Sequence, residues 1–272
     1  MKEIIARIEE SMVARPLYWR EGPCCFVLST GRCGTATIAA LANLSPSVDG
    51  YHERSPSYSW MLNPFYHNAE AWDCQSEFML GTYMARVQLV HQSVAAGQIY
   101  FESNHFLTFF AKALNELFSG VKFIHLIRHP GAFVRSGLRR GWKGPLTPRS
   151  GDCITECWPF MNRREQIAWG WNEINASIEN FKATISPDDC LTVRAEDMFE
   201  GELVDTIYDF MGAERPPDAE IFDVLGKKMN AQTSGDVPPY CQWDRELQQQ
   251  VMAYAPLGSE YGYEMLGESA DA

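Results

Sequence analysis

Short apolar runs alternate along the chain with stretches whose apolar residues recur every three or four positions. CCFVLS (24–29), SVDGYHE (47–53), QIYFESN (98–104), VKFIHLI (121–127) and CLTVRA (190–195) are compact and rich in β-branched and aromatic residues, as buried strands are. Helical spacing follows in TATIAALANL (35–44), FLTFFAKALNELF (106–118), PGAFVRSGLRR (130–140) and REQIAWGWNEINASIENF (164–181). In the last of these, Ile167, Trp171, Ile174, Ile178 and Phe181 share one face, a core stripe. The alternation predicts an α/β domain built on a mostly parallel sheet.

Two segments break the pattern. Residues 141–160 (GWKGPLTPRSGDCITECWPF) are rich in Gly, Pro, Ser and Thr with aromatic residues at both ends, which predicts a long loop suited to a lid. Residues 227–243 (KKMNAQTSGDVPPYCQW) are polar and irregular, and lead to a final short helix and a tail expected to be disordered over about 266–272. With no repeat and no linker, residues 1–272 read as one domain.

Composition narrows the partners. A formal charge of −12 argues against a protein that coats nucleic acid or an anionic membrane, because those partners call for a basic surface. The eight cysteines, Cys24, Cys25, Cys33, Cys74, Cys153, Cys157, Cys190 and Cys241, lack the paired spacing of a zinc site and read as reduced thiols of a cytoplasmic protein. The N-terminal MKEIIARIEESMVARPLYW carries charges throughout, unlike a signal peptide or a membrane anchor.

Candidate chemistry begins after the first strand, where STGRCGTAT opens a helix. A helix N-terminus offers unpaired N–H groups and the positive end of a dipole, so the turn reads as an anion site. Its parts are the amides of Gly31, Arg32, Cys33, Gly34, Thr35 and Ala36, the Arg32 guanidinium, and the hydroxyls of Thr35 and Thr37. The Gly-x4-Gly-Lys-Ser/Thr signature of nucleoside triphosphatases is absent. After the fourth strand comes RHPGAFVRS, with Arg128 at the strand end and Ser136 eight positions on. Because strand ends in a parallel sheet face one crevice, Arg128 and the Arg32 loop address one ligand with two anionic groups.

Together, S-T-G-R-C-G-T and R-H-P-x5-S resemble the sulfotransferases that use 3′-phosphoadenosine 5′-phosphosulfate (PAPS). LTVRAEDMFEG also resembles that family's strand ending in Glu-Asp-Leu, with Glu196 and Asp197 read as structural. The resemblance implies the family's P-loop-kinase-like fold, a three-layer α/β/α sandwich. It also implies that the first loop holds the 5′-phosphosulfate, that Arg128 and Ser136 hold the 3′-phosphate, and that PAP is the product, with no metal. The chain departs from the small-molecule branch, which has a lysine where Arg32 stands and a tryptophan near Thr37, so the adenine contact is unassigned.

In-line transfer needs a base at a strand end near the loop. Glu53, closing the second strand, and His105, closing the third, are both candidates, with Glu53 placed first and Arg32 stabilising the charge that develops on the leaving group. Strand alternation points His52 away from Glu53. Glu53 has a plainer reading as a partner of Arg54, and His105 as a helix-start hydrogen-bonder. Arg135, Arg139 and Arg140 read as a solvated basic face, while Ser103 and Asn104 stand either in the transfer site or in simple strand-end bonding. The aromatic residues of 51–72 and around Trp142, Trp158 and Phe160 suit a small alcohol, phenol or amine as acceptor. A small-molecule kinase and a non-catalytic PAPS-binding domain are the competing readings.

Overall fold

A computed structural model describes residues 21–54, 76–142, 146–227 and 236–266. The five predicted strands form within two or three residues of their expected bounds: β1 (Glu21–Leu28), β2 (Val48–His52), β3 (Ile99–Ser103), β4 (Ser119–Ile127) and β5 (Cys190–Arg194). They make one sheet in the order β2-β3-β1-β4-β5, every pairing parallel. Side chains along β1 alternate between the two faces. Cys24, Phe26 and Leu28 belong to one core cluster, Cys25 and Val27 to the other, all buried. A central strand covered on both faces is therefore apolar throughout, which is why it reads as a continuous hydrophobic run.

Helices α1 (Thr35–Ala42), α2 (Ser76–Ala95), α3 (Ala111–Leu117), α4 (Pro130–Arg139), α5 (Arg163–Lys182), α6 (Ala195–Glu200), α7 (Val204–Met211), α8 (Asp218–Leu225), α9 (Arg245–Tyr254) and α10 (Leu257–Glu260) complete the described fold. Ile38 and Leu41 of α1 pack with Met198, Val204, Ile207 and Ile221 of α6, α7 and α8 on one face of the sheet. Leu114 of α3 and Ile174, Ile178 and Phe181 of α5 pack on the other. The α5 stripe is buried from Ile167 to Phe181 as expected, and an Asn162–Glu165 capping box starts that helix.

Several expectations change. The sequence reading places no helix at α2, α7 or α8: apolar residues of α2 are scattered around its axis, and α7 and α8 are only eight residues long. The stretch read as one helix over 106–118 begins as a 3-10 turn, His105–Phe110, whose Thr108 hydroxyl accepts from the Ser29 N–H (2.9 Å) and donates to the Ser29 carbonyl (3.0 Å). Within the expected lid, Leu146 is buried and Ile154 and Trp158 pack on the core, while Cys153, Cys157 and Phe160 are exposed. Residues 143–145, most of 227–235 and the tail from 267 lie outside the described residues, as do the N-terminal stretch and the aromatic residues of 55–75. The described cysteines are free thiols. No described helix is long and apolar enough to cross a membrane.

Candidate functional site

The site follows from topology. The chain leaving β1 turns into α1 on one face, whereas the segment after β3 leads to α3 on the opposite face, and α4 after β4 packs on α5, which covers that same face. Divergence of neighbouring connections opens a crevice at the C-terminal ends of the central strands. All of the predicted chemistry stands at that edge.

The β1–α1 turn is wound tightly, with φ of 73° at Gly31, 59° at Arg32 and 87° at Gly34, the N-cap of α1. Arg32 and Glu53 (φ 48°) are the only non-glycine residues with positive φ among those described. Left-handed backbone outside glycine costs roughly 1–3 kcal/mol and concentrates where function fixes the geometry. Cys33 is fully buried and its thiol is pushed up to about 11 by that burial, so only its backbone can serve the turn. Thr35 and Thr37 are also buried, Thr35 with its hydroxyl 3.1 Å from His52 Nε2.

Arg128 reaches the turn directly, donating from Nη1 to the Arg32 carbonyl at 3.1 Å. Arg32 Nε in turn donates to Ser136 Oγ on α4 at 3.3 Å. The two predicted half-sites therefore touch. Burial first, then the nearby charges of Arg140 and Arg128, lower the Arg32 guanidinium from its ordinary value. Arg140 is exposed, as a solvated face requires, yet close enough to act on both Arg32 and Glu53. Arg135 departs from that reading, because its Nε donates to the Val237 carbonyl at 3.0 Å and ties α4 to the C-terminal segment.

Glu53 and His105 meet across the same crevice, Oε1 to Nδ1 at 3.4 Å. The Glu53 carboxyl is lowered from the ordinary carboxylate value, chiefly by His105 and secondarily by the charges of His52 and Arg140 against the opposing effect of burial. His105 also abuts the β1–α1 turn, since a Cβ on Gly31 would lie 3.1 Å from His105 Cγ. His52 does not point away. Its Nε2 is 4.0 Å from Glu53 Oε1, because the positive φ at Glu53 ends the strand's alternation and swings the carboxylate back. Burial lowers the His52 imidazole from its ordinary value.

Supports around these groups were only partly legible. Glu196 accepts from the His129 N–H (3.0 Å) and the Tyr263 hydroxyl (2.9 Å), which fixes the residue after Arg128 and bears out its structural reading. His129 itself caps α4, with Nδ1 accepting from the Gly131 N–H. The sequence reading missed Arg86 and Glu102, a fully buried ion pair behind the site. An ionisable residue inside FES, a strand buried on both faces, was the available signal, since such a charge demands a partner. Asn104 joins that pair and also caps the 3-10 turn, accepting from the Phe106 N–H. Ser103 is buried, and its hydroxyl has no hydrogen-bond partner among the described residues. Among the described residues no cluster of His, Cys, Asp or Glu is arranged to hold a metal ion.

No family model matches the chain, and no curated protein matches it. Solved structures do. The sulfotransferase domain of the olefin synthase from Synechococcus PCC 7002 superposes with a TM-score of 0.52 at 18% identity, covering 92% of this chain and 98% of that one. The sulfotransferase domain from the curacin biosynthetic pathway gives 0.53 at 17%, covering 90% and 99%. A sulfotransferase from Alicyclobacillus acidocaldarius gives 0.50 at 13%, covering 90% and 93%. At these identities the likeness establishes the fold: the chain has the sulfotransferase fold, as its motifs led one to expect.

Proposed function

We propose that the chain is a sulfotransferase that takes a sulfuryl group from PAPS and places it on a hydroxyl or amine of a small molecule. One observation carries the proposal: Arg32 and Arg128, 96 residues apart in sequence, are joined at one strand edge beside Ser136 and the Glu53–His105 pair. Crowded positive charge around Arg32 suits a ligand with more than one anionic group, which relieves the mutual repulsion of Arg32, Arg128 and Arg140. Bound there, PAPS supplies an activated sulfate on a phosphate leaving group. The amides from Gly31 to Ala36 with Arg32 hold the phosphosulfate, and Arg128 with Ser136 holds the 3′-phosphate.

Glu53 and His105 act as one proton-accepting unit. Glu53, its carboxyl below the usual range, is ionised at neutral pH and accepts from His105 Nδ1. The imidazole then takes the acceptor's proton at its other nitrogen as the acceptor oxygen bonds to sulfur, and the carboxylate stabilises the resulting imidazolium. Arg32 stabilises charge on the departing phosphate. The loop reads Arg-Cys-Gly-Thr where a triphosphatase carries Gly-Lys-Ser/Thr, so the reading calls for no magnesium.

The test is calorimetric titration with 3′-phosphoadenosine 5′-phosphate (PAP) in chelator, beside ATP with Mg²⁺. PAP binds without metal, and Arg128→Ala weakens it by 10-fold or more, on the order of 1.5–3 kcal/mol for a charge-assisted bond. Preference for ATP with Mg²⁺ would favour a kinase and overturn the proposal. Binding of PAP without turnover of any alcohol, phenol or amine would leave a non-catalytic binding domain.

A further inference from the structure

Behind the site, Arg86 of α2 and Glu102 of β3 form a two-point ion pair, Nε to Oε2 at 2.6 Å and Nη2 to Oε1 at 2.9 Å, with side chains 1% and 0% exposed. Burying two charges is expensive, and an apolar pair of similar volume usually serves stability as well or better. The remaining bonds of the pair show what else it does. Arg86 Nη2 also donates to the carbonyl of Arg54 at 3.1 Å, the residue after Glu53. Glu102 accepts from Asn104 Nδ2 at 3.1 Å, the residue before His105, and from the Tyr100 hydroxyl at 2.7 Å.

Glu53 needs such a hold. Its left-handed backbone persists only where neighbours over-determine it. On one side its own N–H donates to the Ser103 carbonyl at 3.1 Å, and on the other the Arg54 carbonyl is pinned by Arg86. We propose that Arg86 and Glu102 are positioning residues that set Glu53 and His105 against each other, acting through the Arg54 carbonyl and the Asn104 amide. The role rests on the reading above that Glu53 and His105 together accept the proton. The pair touches neither donor nor acceptor in this scheme. Its work is to keep two side chains from different strands in register where small displacements are costly.

The test labels the glutamate carboxyls of the full chain with ¹³C and follows the Glu53 signal with pH, assigning it by its loss in Glu53→Gln. The charged groups around Glu53 are His105, His52, Arg140 and Arg32, so the midpoint of that signal reports its place among them. Arg86→Met with Glu102→Leu removes both buried charges together. This double variant folds, with an unfolding temperature lowered only by the Tyr100 hydroxyl and Asn104 amide left unpaired, and keeps its affinity for PAP, while the Glu53 midpoint rises toward the ordinary carboxylate value as contact with His105 is lost. Arg86→Lys keeps the charge balance but cannot span both Glu102 oxygens and the Arg54 carbonyl. It moves the midpoint in the same direction, and decides the matter if the double variant does not fold. An unchanged Glu53 midpoint in the folded variant overturns the positioning role. Because the titration uses neither donor nor acceptor, it stands even if PAP fails to bind the natural chain, which would count against the sulfotransferase reading alone.

Discussion

Arg32 and Glu53 carry the heaviest local burden, each a long charged side chain on backbone that favours glycine. Glycine at either position would relax the turn and lose the charge, so the strain and the chemistry belong together. Glu53→Gln and His105→Ala should each lower turnover by about 10²–10⁴-fold, the usual worth of a positioned base, with PAP affinity nearly kept. The sign of the pH effect follows from the lowered Glu53 carboxyl. Glu53 therefore stays ionised through the neutral and mildly acid range, so an acid limb of kcat/KM within that range belongs to another group. A limb below the ordinary carboxylate value would instead assign the proton to Glu53 itself. Both residues were legible in the sequence as ionisable groups at strand ends. Their contact was not, because it depends on a backbone angle that no local pattern encodes.

At the scale of elements, α4 is the piece that brings Ser136 to Arg32, and its seating depends on what lies against its first turn. Tyr240, fully buried, donates its hydroxyl to the Met265 carbonyl at 2.8 Å and lays its ring over Gly131 so closely that a Cβ there would come within 2.3 Å of ring atoms. Gly131→Ala should therefore destabilise the molecule by about 1–3 kcal/mol, the usual cost of overpacking, seen as a lower midpoint in urea. Weaker PAP binding should accompany it, since Ser136 rides on the displaced helix. The helix was readable from its Pro at the start and its spacing. The ring above Gly131 was not, because it comes from a segment more than a hundred residues away.

For the whole molecule, Glu179 gathers three parts of the fold. It accepts from Lys182 on its own helix at 2.9 Å and from the Tyr261 hydroxyl in the C-terminal segment at 2.8 Å, and lies 3.4 Å from His125 Nδ1 in the sheet. These contacts, His125 foremost, lower its carboxyl from 4.5 to about 2. A carboxyl lowered in the folded state stabilises above its unfolded value, and that contribution is lost as pH falls through the folded one. Stability should therefore decline between about pH 4.5 and about pH 2, and Glu179→Gln should flatten the decline, read as unfolding temperature against pH. By itself the sequence determined the strands, the main helices and the turn between β1 and α1, because periodicity and turn chemistry act over a few residues. Strand order, the contact of Arg32 with Arg128 and Ser136, the inward turn of His52 and the buried Arg86–Glu102 pair were decided only in three dimensions. Each joins residues 16 to 104 positions apart, and what selects them is the packing of two helical layers onto one parallel sheet.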